Sequence, residues 1–253
     1  MKVLYCGFGR AGLECLYKLF TDFKLSNSDL LVFTHDNKEN QLFISHLNNL
    51  NISYFFNNIN EYKNDIIEFK PEYLLSVYYR FIINKEILSI VNYRAMNLHP
   101  SLLPKYRGAM SSVWAILNDE SVTGITFHYI NEKIDDGNII LQKKVIIDDW
   151  DTAFSLYHKL ISVFLNSFTQ AFQLLIDDFS GFNQKGKSSY FNRDLPYDGI
   201  RELELITKKE ATLFVRAMFF PPFEGAKFNL DGIREIEVSD VRLLDKYNDF
   251  FKK

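Results

Sequence analysis

Residues 2–20 read KVLYCGFGRAGLECLYKLF. Lys2–Cys6 is a short apolar run, Gly7, Gly9 and Gly12 punctuate a turn, and Leu13, Leu16, Leu19 and Phe20 then recur at helical spacing. Strand, tight turn and helix in that order form the opening unit of an α/β sheet. The pattern repeats downstream: Asp29–Thr34 predicts a strand, Lys38–Leu50 a helix, Ile52–Phe56 a strand, Asn60–Phe69 a helix, Tyr73–Tyr78 a buried strand and Arg94–His99 the next. Strands alternating with helices imply an open, mainly parallel sheet covered on both faces.

Beyond residue 100 the pattern changes. Ser111–Leu117 predicts a short helix, and Gly124–Ile130 and Asn138–Ile147 two strands. Thr152–Ile176 predicts one long helix whose apolar stripe, from Phe154 to Leu175, is suited to lie on the sheet. Composition turns polar at Asp177–Ser189, which places a boundary between a domain of residues 1–178 and a small α+β tail domain of residues 179–253. The tail predicts a helix at Thr207–Met218, a turn at Phe220–Gly225 and short strands from Lys227 onward.

The 253 residues carry a net charge of −3, which disfavours nucleic acid as a main substrate because a polyanion is normally gripped by a basic face. Cys6 and Cys15, the only two cysteines, have neither metal-ligand spacing nor a disulfide framework. No apolar run is expected to span a membrane, and the N-terminus reads as strand and turn. The cytoplasm is therefore the expected compartment, with no metal and no membrane partner. Aromatic residues reach 16%, which fits a Phe-rich core or rings that stack on a base or a pterin.

GFGRAG matches the dinucleotide fingerprint G-x-G-x-x-G between a strand and a helix, with Asp36 near the position of a ribose-binding acid. Read alone, it predicts an NAD-dependent oxidoreductase. Glycines here also serve the turn and close helix packing without any ligand. A second stretch competes with it. Residues 97–107 read NLHPSLLPKYR, and Asp135 follows in KIDDG. Asn97 and His99 are two apart, so on a strand both point to one face, and Pro100 and Pro104 end the strand and stiffen the loop. Amide, imidazole and carboxylate are the groups needed to move a one-carbon acyl unit onto an amine. Hydride transfer has no use for them.

NLHPSLLPKYRG at 97–108 and TGITFHYINEKIDDGNIILQ at 123–142 resemble the folate-dependent formyltransferase family, which includes glycinamide ribonucleotide, methionyl-tRNA and nucleotide-sugar N-formyltransferases. The resemblance runs from about Met1 to about Asp178, with a weaker echo in SYFNRDLPYDGI and VRAMFFPPFEGA. It implies a Rossmann-like catalytic domain and 10-formyltetrahydrofolate as co-substrate. It also implies that Asn97 donates to the developing oxyanion, that His99 handles protons, and that Asp135 orients His99, with Asp136 as the rival acid. SVYYRFII at 76–83 matches the family's pterin-binding segment and maps Arg80, Phe81 and Ile82 to it, with Lys133 and Ile134 from the facing loop. Core packing is the competing account of Phe81 and Ile82.

The tail is short for a tRNA-binding module, and the chain is shorter than the formylating part of the UDP-aminoarabinose enzyme. The compact sugar N-formyltransferases fit better, with dTDP-4-amino-4,6-dideoxyglucose as the expected acceptor, serving O-antigen or related surface glycans. Methionyl-tRNA and UDP-aminoarabinose formyltransferases stand as alternatives. Substrate contacts are expected from Tyr78, Lys105, Tyr106, Arg107 and Phe220, against the plainer roles of loop charge for Lys105, loop brace for Arg107 and apolar plug for Phe220. Trp114 reads as core. The family resemblance also implies a homodimer.

Overall fold

The computed structural model describes residues 1–56, 58–230, 232 and 234–252. Its strands are β1 (Val3–Gly7), β2 (Leu30–Phe33), β3 (Tyr54–Phe55), β4 (Tyr73–Val77), β5 (Ala95–His99), β6 (Arg107–Gly108), β7 (Val122–Tyr129), β8 (Ile139–Ile146), β9 (Tyr190–Phe191), β10 (Ile200–Glu202), β11 (Ala226–Leu230) and β12 (Arg234–Val238). The α-helices are α1 (Gly9–Thr21), α2 (Gln41–Asn49), α3 (Lys63–Phe69), α4 (Lys85–Ile90), α5 (Ser111–Leu117), α6 (Ala153–Ile176) and α7 (Lys208–Met218). By contact the chain gathers into two units that interleave in sequence. One holds Met1–His99, Ile125–Lys143 and Ile161–Lys187, and the other Pro100–Gly124, Lys144–Leu160 and Ser188–Lys253. A division at 178/179 into separately folding parts stays a proposal.

The first unit is built on a sheet of order β3-β2-β1-β4-β5-β7-β8. β1, β2 and β4 are buried at every residue, as strands covered on both faces must be. Pairing from β3 through β5 is parallel, and β7 then runs antiparallel to β5. Chain order reverses between β1 and β4, the kind of point at which open α/β sheets receive ligands beyond the strand C-termini. On one face Leu4, Cys6, Phe33 and Leu74 meet Ile66 of α3 and Ile87 and Leu88 of α4. Elsewhere Phe172 of α6 lies against Phe23 and Tyr73, with ring centroids 4.7 and 5.6 Å away, and Phe164 lies 5.6 Å from Phe127 of β7.

One sequence expectation needs correction. α6 has 24 residues, and an 18-residue stretch of it reaches a mean hydropathy of 1.2, so by length and composition alone it is long and apolar enough to cross a membrane. Its apolarity has another explanation in the fold. Leu156, Leu160, Phe164, Phe168 and Phe172 recur at helical spacing and are each fully buried. The helix α4 was not anticipated. Six residues are too few for periodicity to register, and its start is fixed by Asn84, whose side chain accepts the Ile87 N–H. α2 and α3 begin later than expected because a 3-10 turn precedes each, at Lys38–Asn40 and Ile59–Glu61.

In the second unit β10, β11 and β12 form a small sheet that shares a core with α7, including Leu203, Phe214, Val215, Phe228 and Val238. Thr207 caps α7 in a reciprocal box with Glu210. Buried Asp151 accepts from Lys159 Nζ at 2.5 Å, from Ser155 Oγ at 2.7 Å and from the Asp148 N–H at 2.8 Å. Arg216 donates to the carbonyls of Asp151 and Asp148.

Burial opposes the charge of Asp151, but Lys159, the Asp148 N–H and Ser155 together hold its carboxyl below the ordinary value of 3.8. A depressed folded-state pKa adds stability above the unfolded value, and that stability is lost as pH falls through the folded one. Asp151→Asn is expected to lower the unfolding free energy by about 1–3 kcal/mol at neutral pH. The gap should close as the pH drops below the ordinary carboxylate value, which urea titrations over a pH series will measure.

Candidate functional site

Alternation along β5 puts Asn97 and His99 on one face of the sheet. The antiparallel register of β7 sets His128 opposite Asn97 and Thr126 opposite His99, so the same face carries all four. Asp135 reaches this face from the β7–β8 loop, in the left-handed region with φ 50°. Its carboxylate stands between two imidazoles, with Oδ2 3.3 Å from His99 Nδ1 and Oδ1 3.4 Å from His128 Nε2. Asn97 Nδ2 lies 3.1 Å from His128 Nε2 and donates to Asp135 Oδ1 at 3.4 Å. Both histidines are buried and the Asp135 side chain is 10% exposed, so the cluster is largely withdrawn from water. The structure brings Asn97, His99 and Asp135 together. Asp136 is more exposed and faces Lys133 at 4.0 Å.

His128 is the member that sequence reasoning missed. Its Nδ1 lies 2.8 Å from the carbonyl of Tyr129, an acceptor only, so the ring carries a hydrogen there and presents Nε2 to the Asn97 amide. His128 thereby fixes which end of that amide faces the site. The signal in the sequence was the pair Thr126-x-His128, which has the same two-residue alternation as Asn97-x-His99. It becomes informative only once the register of β7 against β5 is known.

At the sheet's reversal point the glycine turn and the segment after β4 meet. The Phe8 N–H donates to the Val77 carbonyl at 3.0 Å. Gly9 has φ 62°, a conformation that favours glycine, and its N–H donates to Asn40 Oδ1 at 2.8 Å. Asn40 is fully buried, and its Nδ2 donates to Thr34 Oγ1 and to the His35 carbonyl. The Gly9 backbone hydrogen is thus engaged within the protein. Asp36, the candidate ribose acid, is exposed.

The Arg80 N–H donates to His35 Nε2 at 3.0 Å, and the Arg80 guanidinium lies 4.2 Å from the Phe8 ring centroid while pairing with Glu39. Phe81 and Ile82 are 40% and 65% exposed, which rules out core packing as their account, and Ile134 is 43% exposed. Apolar side chains left at the surface beside a polar cluster suit a flat, partly apolar ligand. Lys133 is exposed, and Tyr78 is half-buried with its ring edge toward Phe164.

In the second unit, Lys105 Nζ and Tyr106 Oη both donate to Glu120 Oε1, at 2.7 and 2.8 Å. Burial opposes the Glu120 charge, yet these two donors hold its carboxyl below the usual range. Tyr106 is buried and its ring stacks on Phe191, so its expected contact with a substrate gives way to a brace within the loop. Trp114 also stacks on Phe191, 4.2 Å between centroids, and is half-buried. The Arg107 N–H donates to the Ser189 carbonyl at 2.9 Å. Phe220 sits edge-on to Phe154 and Tyr157, while Phe223 is exposed.

The model of the formyl transferase family matches residues 35–171, more than half of the chain and the stretch that contains the whole cluster. This chain belongs to that family. The formyltransferase is 34% identical over 234 residues to the GDP-perosamine N-formyltransferase of Brucella melitensis, covering 91% of this chain and 90% of the relative. Among solved structures it is similar to the N-formyltransferase of Helicobacter canadensis in complex with folinic acid and dTDP-3-aminofucose. The TM-score is 0.76 at 25% identity, over 91% of this chain and 84% of that one. The fold is shared with a 4-N formyltransferase of Francisella tularensis, with a TM-score of 0.74 at 22% identity over 94% and 97% of the two chains.

Among the described residues of the formyltransferase, no group of three or more His, Cys, Asp or Glu side chains is arranged to hold a metal ion. His128→Leu removes the nearer of the two acceptors that orient the Asn97 amide and leaves it only the 3.4 Å contact with Asp135. Formyl-transfer turnover is expected to fall about 10–100-fold, equivalent to roughly 1.4–3 kcal/mol of barrier. Steady-state kinetics at saturating substrates will test this.

Proposed function

We propose that this formyltransferase moves the formyl group of 10-formyltetrahydrofolate onto the amine of a nucleotide-linked amino sugar. The observation that carries the chemistry is the withdrawn cluster in which Asp135 stands between His99 and His128 beside the Asn97 amide. In the reaction a C–N bond to the sugar amine forms at the formyl carbon and the bond from that carbon to the folate nitrogen breaks. A proton passes from the attacking nitrogen to the leaving one. Asn97 supports the charge that develops on the formyl oxygen. Its 3.4 Å contact with Asp135 is long for a hydrogen bond, so that hydrogen is the one readily redirected to a ligand. His99 handles the proton, and Asp135 keeps its imidazole aimed. Arg80, Phe81, Ile82, Lys133 and Ile134 form the folate side of this reading, supported by the exposed apolar side chains among them.

For the acceptor, the reading from the short tail's resemblance to the compact sugar N-formyltransferases is dTDP-4-amino-4,6-dideoxyglucose. The 34% identity to a relative named for GDP-perosamine, over nine-tenths of both chains, favours a GDP-linked amino sugar as a second reading. Lys105 and Arg107 are the proposed pyrophosphate contacts. The Lys105–Glu120 pair leaves Lys105 56% exposed, and such surface pairs contribute only about 0–1 kcal/mol, so its charge is easily turned toward a substrate. Tyr78 and Phe220 stay proposed as sugar and base neighbours. A homodimer and the cytoplasm complete the reading, the latter supported by two buried free thiols that suit a reducing compartment.

The test is mass spectrometry after incubation with 10-formyltetrahydrofolate and each of the two nucleotide sugars. A product heavier by one formyl group is expected with one of them, and its absence with both and with a wider panel of amino sugars would remove the proposal. Asn97→Ala should then cost about 10²–10³ in rate. Asp135→Asn should be severely impaired while Asp136→Asn stays near wild type, and equal losses from the two would overturn the assignment of the acid.

A further inference from the structure

The carboxylate of Asp135 is placed by a loop, not by a strand, and its own contacts with His99, His128 and Asn97 are long, between 3.3 and 3.4 Å. The backbone beneath it is in the left-handed region, which a non-glycine residue keeps only where its surroundings hold it. The contacts of the loop backbone are therefore part of what places the carboxylate.

One contact comes from a distant part of the chain. Gln184 Nε2 donates to the carbonyl of Asp135 at 2.8 Å and to the carbonyl of Gly137 at 2.9 Å. The amide has two hydrogens, and two carbonyls two residues apart receive them. The segment that carries Gln184 is itself anchored to the root of the loop. Phe182 and Ile139 exchange both backbone hydrogen bonds, at 2.7 and 2.9 Å, and Asn138 Nδ2 donates to the Ser180 carbonyl. Phe182, Asn183, Lys185, Gly186, Lys187 and Ser188 are exposed, and Gln184 alone among residues 182–188 is half-buried. On its other side the loop presses on β7, where a Cβ on Gly137 would come within 1.9 Å of the Tyr129 carbonyl oxygen.

We propose that Gln184 is a positioning residue that holds the Asp135–Gly137 backbone so that the Asp135 carboxylate stays between the two imidazoles. This rests on the catalytic role given to Asp135 above. Gln184 touches no reacting atom and acts through the loop.

The experiment compares the full-length wild type with Gln184→Met, which keeps length and removes both donors, and Gln184→Glu, which keeps shape and sets a carboxylate against the two carbonyls. Lys185→Met is the control on the exposed neighbour. Turnover is expected to fall about 10–100-fold in both Gln184 variants, as follows from a catalytic group displaced by about 1 Å. The Michaelis constant for the folate donor, the melting temperature and the control should stay close to wild type. In ¹⁵N-histidine-labelled protein without substrates, the His99 and His128 ring-nitrogen signals should move in the Gln184 variants and not in the control. Unmoved signals with wild-type turnover would overturn the proposal. So would a loss of turnover that only follows a lowered melting temperature and is recovered at low temperature. If the wild type formylates no sugar, the functional reading fails, and the ring-nitrogen signals still decide whether Gln184 sets the carboxylate.

Discussion

The antiparallel pairing of β7 on β5 is the constraint from which the site follows. Five parallel strands bring Asn97 and His99 to a strand end, but a parallel neighbour would arrive there after a long crossover and turn its chain away. An antiparallel one sets His128 directly across from Asn97 and delivers the following loop back onto the same face. Each of the four polar side chains is placed by strand alternation or by the hairpin. Shifting the register by one residue would turn His128 and Thr126 to the opposite face and undo the cluster.

A buried polar group is tolerable when its hydrogen bonds are met, and the site meets them by mutual engagement. His128 is tied to the Tyr129 carbonyl and Asn97 to His128, while Thr126 accepts from Gln142 at 2.9 Å. The second unit uses the same logic for stability around Asp151, where a lysine, a hydroxyl and a backbone N–H surround one carboxylate. The difference lies in tightness. The Asp151 contacts with Lys159, Ser155 and the Asp148 N–H fall between 2.5 and 2.8 Å, whereas the Asp135 carboxylate lies 3.3–3.4 Å from His99 Nδ1, His128 Nε2 and Asn97 Nδ2.

Much of the first unit was legible because its signals are local. The apolar runs at residues 3–7, 30–33 and 73–77 announce buried strands by their length and composition, and the stripe on α6 announces its helix by period. Asn97, His99 and Asp135 were legible through resemblance, and the choice of Asp135 over Asp136 agrees with the geometry. What escaped depends on pairing across distance. The two-residue strands β6 and β9 are defined by their bonds to each other, and Gln184 sits in a polar stretch that reads as a domain boundary. The brace made by Tyr106 was not legible because its acceptor, the half-buried Glu120, lies 14 residues away with no periodic relation to it.

The N-terminal turn carries its own counter-ligand. Asn40 offers its side-chain carbonyl oxygen to the Gly9 N–H, and its amide is locked from behind by Thr34 and His35. A fingerprint of glycines is thus a statement about chain geometry, and here one of its backbone donors is engaged by a residue 31 positions downstream that no fingerprint contains. In this chain the turn is closed from inside, and its rigidity goes to seating Phe8 under the Arg80 guanidinium at the margin of the site.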